Sequence, residues 1–354
     1  MNRWILSLAN DNKTHSNTIS KIKALRKQEL SADALAQGIF DGNKAMLAKS
    51  ITLLESTKTA HFEKANAIIE KCLTQPTNSI RLGITGVPGV GKSSFIETLG
   101  KTLTDQGNKV AVLAVDPTSS LSKGSILGDK TRMETLAKDP NAFIRPSPSG
   151  TSLGGVAQKT RESIILCEAA GYNVILVETV GVGQSEIAVH SMVDFFLLLK
   201  LSGAGDELQG IKRGIMEMAD AIAINKADGS NLEHAKLAVT EFSRALHLYP
   251  PKANGWTPKV MKCSAVENTG IDDIWAIVQQ FVKHNKDNGF FEKNRQQQNK
   301  NWFLQTVDEY IKQFFHQKET FKKEQANLLT AIEEHKISPF YAAKILLDKI
   351  TKEL

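Results

Sequence analysis

The amino-acid sequence predicts an α/β fold in which helical extensions flank a mostly parallel central sheet. Short apolar runs rich in β-branched residues alternate with helical segments through the middle of the 354-residue chain, a pattern typical of parallel sheets covered on both faces. All of the 24 glycines except Gly38, Gly42 and Gly289 lie within residues 81–282, so the turns concentrate there. The sequence therefore predicts three regions: an N-terminal helical extension (1–76), a central domain (77–282) and a C-terminal helical region (283–354).

The central domain is expected to contain seven strands, because seven runs are short, apolar and β-branched. They are Ser79–Thr85, Lys109–Val115, Ala142–Ile144, Asn173–Val177, Phe195–Leu201, Ala221–Asn225 and Lys259–Cys263. Helical periodicity predicts helices between most of them, including residues 92–105, 154–170 and 231–247. In such a sheet, ligands bind at the carboxyl ends of the strands.

Both flanks are predicted to be helical. Residues 17–74 repeat apolar side chains at helical intervals, with Ser31 as an N-cap, and Ser338 followed by Pro339 opens the last helix. Between them, one helical stripe carries Trp302, Val307, Tyr310, Ile311, Phe314 and Phe315. A stripe of this size predicts a homodimer through residues 283–354; the alternative is that the stripe docks on its own core.

Composition and charge exclude several classes of protein. The chain is 41% hydrophobic and 23% charged, which suffices for a core and excludes wholesale disorder. Its net charge of +6 arises in the flanks rather than in one basic patch, so we expect no nucleic-acid partner. No apolar run approaches the ~20 residues that cross a bilayer, so we expect no membrane partner. Cys72, Cys167 and Cys263 are isolated in the sequence, which favours a reducing, cytoplasmic compartment.

A glycine-rich segment, G-V-P-G-V-G-K-S from Gly86 to Ser93, follows one predicted strand and opens a predicted helix. It matches G-x-x-x-x-G-K-[ST], in which glycines let backbone N–H groups converge on phosphates at a helix N-terminus. Lys92 can reach the β- and γ-phosphates, and the Ser93 hydroxyl can ligate Mg²⁺. The predicted phosphate-binding residues are Gly86, Val87, Pro88, Gly89, Val90, Gly91, Lys92, Ser93 and Ser94.

A second motif predicts which base is bound. The segment N-K-A-D, which ends in Asp228, closes a predicted strand and matches N-K-x-D, the guanine-specificity motif of GTPases. The Asp228 carboxylate can accept from the N1–H and N2–H₂ of guanine, which adenine does not present in that arrangement. The next strand ends in C-S-A, which resembles the S-A element behind the guanine ring. GTP and GDP are therefore the expected ligands, bound at the base by Asn225, Lys226, Asp228, Ser264, Ala265 and Val266.

Carboxylates near strand ends supply the ligands that a Mg²⁺–nucleotide site needs. Asp116 ends the second predicted strand, Asp129 lies in the loop after it, and Glu178 ends the fourth strand. With Ser93, these are the predicted metal ligands. Gly181, which closes the segment E-T-V-G, can give its N–H to the γ-phosphate.

Longer strings narrow the match to one family. V-D-P-T-S-S from Val115, G-S-I-L-G-D-K-T-R-M from Gly124, S-G-T-S-L-G-G from Ser149 and G-A-G-D-E-L-Q-G-I-K from Gly203 accompany the motifs above. Together they resemble the MeaB/ArgK family, the methylmalonyl-CoA mutase-associated GTPases. This family belongs to the P-loop GTPases that serve as chaperones for metal- or cobalamin-dependent enzymes. The resemblance covers roughly residues 20–350.

The resemblance implies that the protein helps to deliver adenosylcobalamin to an acyl-CoA mutase and protects the cofactor there. It also implies a homodimer joined through C-terminal helices, and three switch segments: residues 117–133, 178–187 and 203–214. Gln209 and Lys212 lie in the third switch, which in the family couples the nucleotide state to the mutase. The expected catalytic residues are Lys92, Glu178, Gly181, Gln209 and Lys212.

Hydrolysis is expected to be slow without a partner. Val182 stands directly after Gly181, where Ras-like proteins place a water-positioning Gln, and no arginine finger is identifiable in the sequence. Such fingers contribute roughly 10³–10⁵ in rate. Two alternatives stay open: a metal-insertion GTPase chaperone, and an ArgK-type kinase acting on amino-acid transport proteins. A non-catalytic nucleotide-binding scaffold is a third, against which Lys92, Ser93 and Glu178 argue.

Overall fold

The computed structural model describes residues 30–56, 58–115, 133–146, 153–179, 185–203 and 213–351. Within these residues seven strands form one sheet: β1 Ile80–Gly86, β2 Val110–Val115, β3 Ala142–Arg145, β4 Val174–Thr179, β5 Phe195–Leu201, β6 Ala221–Asn225 and β7 Lys259–Lys262. Their order is β3-β2-β4-β1-β5-β6-β7, and all neighbouring pairs are parallel. The predicted fold class is confirmed, and each of the seven predicted runs forms one of these strands.

Along the chain, helices precede, separate and follow the strands. In chain order they are α1 Ala32–Phe40, α2 Lys44–Leu54, α3 Thr59–Leu73, α4 Lys92–Asp105, α5 Glu134–Lys138, α6 Leu153–Ala169, α7 Ser185–His190, α8 Arg213–Met218, α9 Leu232–Leu246, α10 Ile271–Asp287, α11 Phe290–Gln317, α12 Glu319–Glu333 and α13 Pro339–Thr351. Both predicted caps are present, because the Ser31 side chain accepts from Ala34 N–H at 3.1 Å and the Ser338 side chain accepts from Tyr341 N–H at 3.3 Å. The predicted helical residues 17–29 lie outside the described residues.

The register of the central strands determines where their functional ends meet. Ile84 in β1 pairs with Glu178 in β4, and Gly86 at the end of β1 pairs with Leu199 in β5. These strands are buried along most of their length, which explains their continuous apolar sequence. Because parallel strands end at the same edge, the carboxyl ends of β1, β4 and β6 lie on one side of the sheet.

Two buried aspartates form hydrogen bonds at the amino-terminal ends of the strands, on the side of the sheet opposite these carboxyl ends. Asp194 accepts a hydrogen bond from Arg81 N–H at 2.8 Å, and Asp220 accepts one from Phe196 N–H at 2.9 Å. Burial raises the pKa of Asp220, although the Lys252 ammonium forms an ion pair with it at 2.6 Å. These contacts fix the starts of β1 and β5 relative to the segments that precede β5 and β6.

The chain divides into two compact units, which join in sequence between Asn288 and Gly289. The first unit contains the sheet and also the N-terminal helices. Lys44, at the start of α2, donates to the carbonyl oxygens of Asp139 at 2.9 Å and Ala142 at 2.6 Å, beside β3. The N-terminal helices therefore pack as part of the unit that contains the sheet.

The second unit consists of α11, α12 and α13. At the corner between α11 and α12, the rings of Phe315 and Phe321 stack with centroids 6.1 Å apart. Lys349 on α13 forms an ion pair with Glu324 on α12 at 2.6 Å. Across the described ranges of both units, no helix has the length and apolar character needed to span a membrane.

Candidate nucleotide-binding site

The predicted phosphate-binding loop joins β1 to α4. The helix begins at Lys92, directly after Gly91, whose φ of 94° lies in the left-handed region. A Cβ on Gly86 would lie 2.5 Å from the Leu199 carbonyl oxygen, and a Cβ on Gly91 would lie 2.7 Å from the side-chain nitrogen of Asn225. Gly86 requires glycine because the backbone of β5 approaches it so closely, and Gly91 because its backbone is left-handed and the Asn225 side chain lies against it.

Lys92 is buried beneath this loop, with 8% of its surface exposed. Its ammonium group donates to the carbonyl oxygens of Gly86 at 2.8 Å and Val87 at 3.3 Å. Burial lowers the pKa of Lys92, while the carboxylates of Glu178 and Glu186 act in the opposite direction. A partly desolvated ammonium at a helix N-terminus is well placed to bind phosphate oxygens.

Two of the predicted metal ligands, Ser93 and Glu178, lie together. The Ser93 hydroxyl donates to Oε1 of Glu178 at 3.2 Å. Glu178 is buried near the end of β4, beside the first turn of α4. Hydroxyl and carboxylate oxygens are the kind of donors that Mg²⁺ prefers, so the pair fits this ion.

Five predicted site residues lie outside the described residues: Asp116, Asp129, Gly181, Gln209 and Lys212. Much of the three predicted switch segments falls outside them as well. Their roles in metal binding, γ-phosphate binding and coupling to a partner stay predictions.

Asn225 connects the phosphate-binding loop to the predicted base-binding loops. It ends β6, where its side-chain amide donates to the Val90 carbonyl oxygen at 2.8 Å and its Oδ1 accepts from Ala265 N–H at 3.4 Å. The Cys263 sulfur lies 3.6 Å from the same Oδ1. Burial raises the pKa of the Cys263 thiol to about 12, so the thiol is protonated at neutral pH and donates to Asn225.

The predicted guanine-reading carboxylate is held by a neighbouring loop. The Ser264 hydroxyl donates to Oδ2 of Asp228 at 2.5 Å and accepts from Glu267 N–H at 3.1 Å. Lys226 turns the chain after β6 with a φ of 59°. Ser264 is buried, whereas Val266 is 86% exposed at the tip of the loop. The Ser264 contact orients the Asp228 carboxylate.

The described part of the predicted site therefore lies at one edge of the sheet, at the ends of β1, β4, β6 and β7. The residues there are Gly86, Val87, Pro88, Gly89, Val90, Gly91, Lys92, Ser93, Ser94, Glu178, Asn225, Lys226, Asp228, Ser264, Ala265 and Val266. The arrangement can place phosphates at the N-terminus of α4 and a base beside the loops after β6 and β7. The binding role of each residue stays a prediction.

Sequence reasoning misses two residues in this region. Glu186, in the first turn of α7, is 2% exposed. Its carboxylate opposes the larger effect of burial, which lowers the pKa of Lys92. Thr98 on α4 donates to the Ala265 carbonyl oxygen at 2.8 Å. An acidic residue soon after E-T-V-G was a usable signal for Glu186, but none marks Thr98, because its partner is 167 residues away in sequence.

The fold and the site together define the class of protein. A parallel sheet carries G-x-x-x-x-G-K-S between β1 and α4 and N-K-x-D after β6. This is the arrangement of a P-loop GTPase, an enzyme that binds guanine nucleotides and hydrolyses GTP.

Comparison with known proteins gives the family. The family described as "Methylmalonyl Co-A mutase-associated GTPase MeaB" matches residues 47–320. The chain belongs to this family, and the resemblance found in the sequence is confirmed.

Named relatives agree with this assignment. A probable GTPase of Mycobacterium tuberculosis is 46% identical over 318 residues, which cover 90% of this chain and 95% of the relative. GTPase ArgK of Escherichia coli is 45% identical over 298 residues, covering 84% and 90%. The mouse protein named "Methylmalonic aciduria type A homolog, mitochondrial" is 42% identical over 331 residues, covering 91% and 80%.

A solved structure also resembles the chain along most of its length. It is described as "LAO/AO transport system kinase" and is 37% identical in sequence, with a TM-score of 0.73. The match covers 90% of this chain and 97% of that one. The shared fold therefore includes the helical flanks as well as the sheet.

Proposed function

We propose that this GTPase is a chaperone that assists the loading and protection of adenosylcobalamin on a cobalamin-dependent acyl-CoA mutase of the methylmalonyl-CoA mutase type. The observation that carries the proposal is the match of residues 47–320 to a family described as associated with that mutase. The mouse relative, whose name refers to methylmalonic aciduria, supports it. Three buried free cysteines, Cys72, Cys167 and Cys263, fit work in the reducing cytoplasm.

Guanine selection would depend on Asp228. Ser264 already holds Oδ2 of this carboxylate, and Asn225 ties the neighbouring Ala265 to the phosphate-binding loop. The carboxylate can then accept from the N1–H and N2–H₂ of guanine without a large rearrangement. Lys226 and Val266 would flank the base, and the loop from Gly86 to Ser94 would hold the phosphates.

Mg²⁺ would be held by Ser93 and Glu178, with Asp116 and Asp129 completing the predicted set. The 3.2 Å contact between the Ser93 hydroxyl and the Glu178 carboxylate supports this assignment, because two hard oxygen donors already converge. When bound, the ion supplies charge neutralisation at the β- and γ-phosphates. Lys92 would bind the same phosphates from the floor of the loop, and Gly181 N–H would bind the γ-phosphate.

Hydrolysis would be slow alone and faster with the mutase. Val182 follows Gly181, so the chain lacks a Gln at the position that orients the attacking water in Ras-like proteins. A partner would complete the site through the third switch, where Gln209 and Lys212 lie. Such behaviour suits a chaperone whose GTP hydrolysis times a delivery step.

We also propose that the protein is a homodimer joined through α11. This helix exposes large apolar side chains at spacings of three and four residues: Phe303, Leu304, Val307, Tyr310, Ile311 and Phe314. That spacing places them on one face over about three turns, which is the pattern of a helix that packs on another helix. An exposed apolar face of this length marks an interface.

A second candidate function is a kinase acting on amino-acid transport proteins. It is favoured by the description of the 37% identical structure as a transport system kinase. The two candidates differ in the acceptor of the γ-phosphate, which is water for the chaperone and a protein side chain for the kinase.

The test is phosphate release from γ-labelled GTP by the full chain, alone and with a purified adenosylcobalamin-dependent acyl-CoA mutase. We expect slow release alone, stimulation by the mutase, and label only in free phosphate. Lys92→Ala is the control, because it removes the phosphate-binding ammonium and should abolish release in both conditions. Label transferred to an added transport protein would favour the kinase, and a rate indifferent to the mutase would contradict the proposed partnership.

A further inference from the structure

We propose that Thr98 is a positioning residue that fixes the guanine-binding loop against the phosphate-binding helix. The guanine-binding loop is defined here as Ser264–Thr269, between β7 and α10. The inference rests on the proposed guanine recognition and adds a residue that determines how tightly the base is held.

The hydroxyl of Thr98 makes the contact that carries the inference. Its Oγ1 lies 2.8 Å from the Ala265 carbonyl oxygen and 3.0 Å from the Ser94 carbonyl oxygen one turn earlier in α4. The Ser94 carbonyl already accepts the backbone N–H of residue 98 in the regular helical pattern. A hydroxyl has only one proton to donate. The shorter contact assigns that proton to the Ala265 carbonyl oxygen, which lies outside the helix.

The guanine-binding loop is closed on itself, and among the described residues it has few hydrogen bonds to the phosphate-binding side. At its base, Ser264 N–H donates to the Thr269 carbonyl oxygen at 3.0 Å, and Thr269 N–H donates back to Ser264 at 3.1 Å. Gly270 follows with a φ of 72°, and a Cβ there would lie 2.5 Å from the Lys262 carbonyl oxygen. The loop is therefore a compact body whose position, more than its shape, depends on outside contacts.

Two hydrogen bonds attach Ala265 to the phosphate side. Its N–H donates to Asn225 at 3.4 Å, which is long, and its carbonyl oxygen accepts from Thr98 at 2.8 Å. The shorter bond connects the loop to α4, the helix that begins with Lys92. Thr98 lies almost two turns beyond that residue. It contacts the phosphate-binding segment at the Ser94 carbonyl oxygen, within α4 itself, and the base-binding loop at Ala265.

This division predicts a selective loss. Without the Thr98 hydroxyl, the guanine-binding loop can shift relative to α4. The distance between the base-binding and phosphate-binding residues then no longer matches the nucleotide. A nucleotide that engages both subsites should bind more weakly. A ligand that engages only the phosphate subsite should not be affected.

The experiment compares Thr98→Val with the parent by calorimetry of the full chain, using GDP and inorganic triphosphate as separate probes. Valine replaces the hydroxyl with a methyl group of similar size. We expect GDP affinity to fall about 3–10-fold, the usual value of one hydrogen bond. Triphosphate affinity should stay within about twofold, because the altered contact lies outside the phosphate-binding loop.

Two further variants separate the hydrogen bond from packing and from helix effects. Thr98→Ser keeps the hydroxyl and should restore GDP affinity, although it removes the methyl group. Thr330→Val makes the same change on α12, where the hydroxyl donates to the Ala326 carbonyl oxygen within its own helix, and should alter neither ligand.

Three results would overturn the inference. Unchanged GDP affinity in Thr98→Val would do so, as would an equal loss for GDP and triphosphate, which is the signature of general damage. A Thr98→Ser variant as weak as Thr98→Val would assign the effect to packing. If the parent itself binds ADP as well as GDP, the proposed guanine recognition fails first, and the role of Thr98 in it falls with it.

Discussion

Two consecutive helices, α10 and α11, differ in the burial of their apolar residues. In α10 a complete face is buried: Ile271, Ile274, Trp275, Val278, Phe281 and Val282. α11 is 28 residues long, yet within its described side chains only Phe291 is buried, and the stripe from Phe303 to Phe314 is exposed. Helical periodicity therefore shows that a helix has an apolar face, but it does not show what covers that face. In α10 the cover is β5 and α4 of the same unit, whereas in α11 we propose a second copy of the chain.

The largest effect is expected from truncating the buried face. Phe281 packs edge-on against Phe195 at 5.0 Å and Trp256 at 5.2 Å between ring centroids. Phe281→Ala should lower the free energy of unfolding by about 3–5 kcal/mol, because it removes a large buried ring and leaves a cavity. Denaturant unfolding followed by circular dichroism measures this, and the loss should not depend on protein concentration.

The matched control is the same substitution in the exposed stripe. Phe314→Ala removes a ring that is 51% exposed. We expect its effect on unfolding to grow with protein concentration, because it acts on association rather than on the core of one chain. A concentration-independent loss as large as that of Phe281→Ala would show that α11 packs within its own chain.

The next effect is on the oligomeric state. Ile311 is 50% exposed within the stripe, so Ile311→Asp should weaken dimerisation by roughly 2–4 kcal/mol, the cost of disrupting an interface hot spot. Gln313→Asp introduces the same charge off the stripe and should leave the dimer intact. Light scattering at micromolar concentration distinguishes them. A parent protein that is monomeric there would decide for docking of the stripe within the chain.

The fold was largely predictable because its signals are local. Each strand is a short apolar run bounded by turn residues, and the Ser31 and Ser338 caps are readable from their neighbours alone. The limits of the helices agree within one or two residues, as for the predicted segment 231–247 and α9 at Leu232–Leu246. The packing of α1–α3 into the same unit as the sheet was less accessible, because it depends on contacts such as Lys44 with Ala142, 98 residues apart.

A smaller effect, on nucleotide affinity in the first unit alone, is expected from a substitution of Asp228. Asp228→Asn keeps the size of the side chain but replaces an acceptor oxygen with an N–H₂ donor. Guanine nucleotides should bind roughly 10–100-fold more weakly, since charge-assisted hydrogen bonds are lost. Xanthine nucleotides should gain, because their C2 substituent is an acceptor.

Calorimetry with GDP and XDP measures the exchange, and light scattering of the same samples should find the oligomer unchanged. Equal affinity of the parent for ADP and GDP would contradict the role of Asp228. A dimer that dissociates in Asp228→Asn would contradict the assignment of nucleotide binding and dimerisation to different elements of the chain.

The site was predictable where chemistry depends on adjacent residues and not where it depends on tertiary contacts. Lys92, Ser93 and Asp228 belong to motifs whose spacing is fixed by the ligand. Thr98 and Glu186 belong to no such motif, because their partners are brought to them by the fold. Sequence also gave no sign that the Lys92 ammonium would be bonded to the carbonyl oxygens of its own loop.

The smallest effect concerns the charge of the Lys92 ammonium. It tests whether the nucleotide site of the first unit is desolvated enough to lower the pKa of this group. Burial lowers the pKa of Lys92 below its ordinary 10.5 in the free protein, and bound phosphates, being anionic, should raise it again. At alkaline pH between the two values, the complex holds more protons than the free protein. GDP binding should therefore take up part of one proton, and affinity should fall as pH rises through that window, by at most about tenfold per pH unit.

Calorimetry in two buffers of different ionisation enthalpy measures the uptake. Lys92→Arg is the control, because its guanidinium stays charged throughout while proton exchange by the nucleotide itself is common to both proteins. Equal uptake in the parent and in Lys92→Arg would mean that Lys92 is fully charged before the ligand arrives.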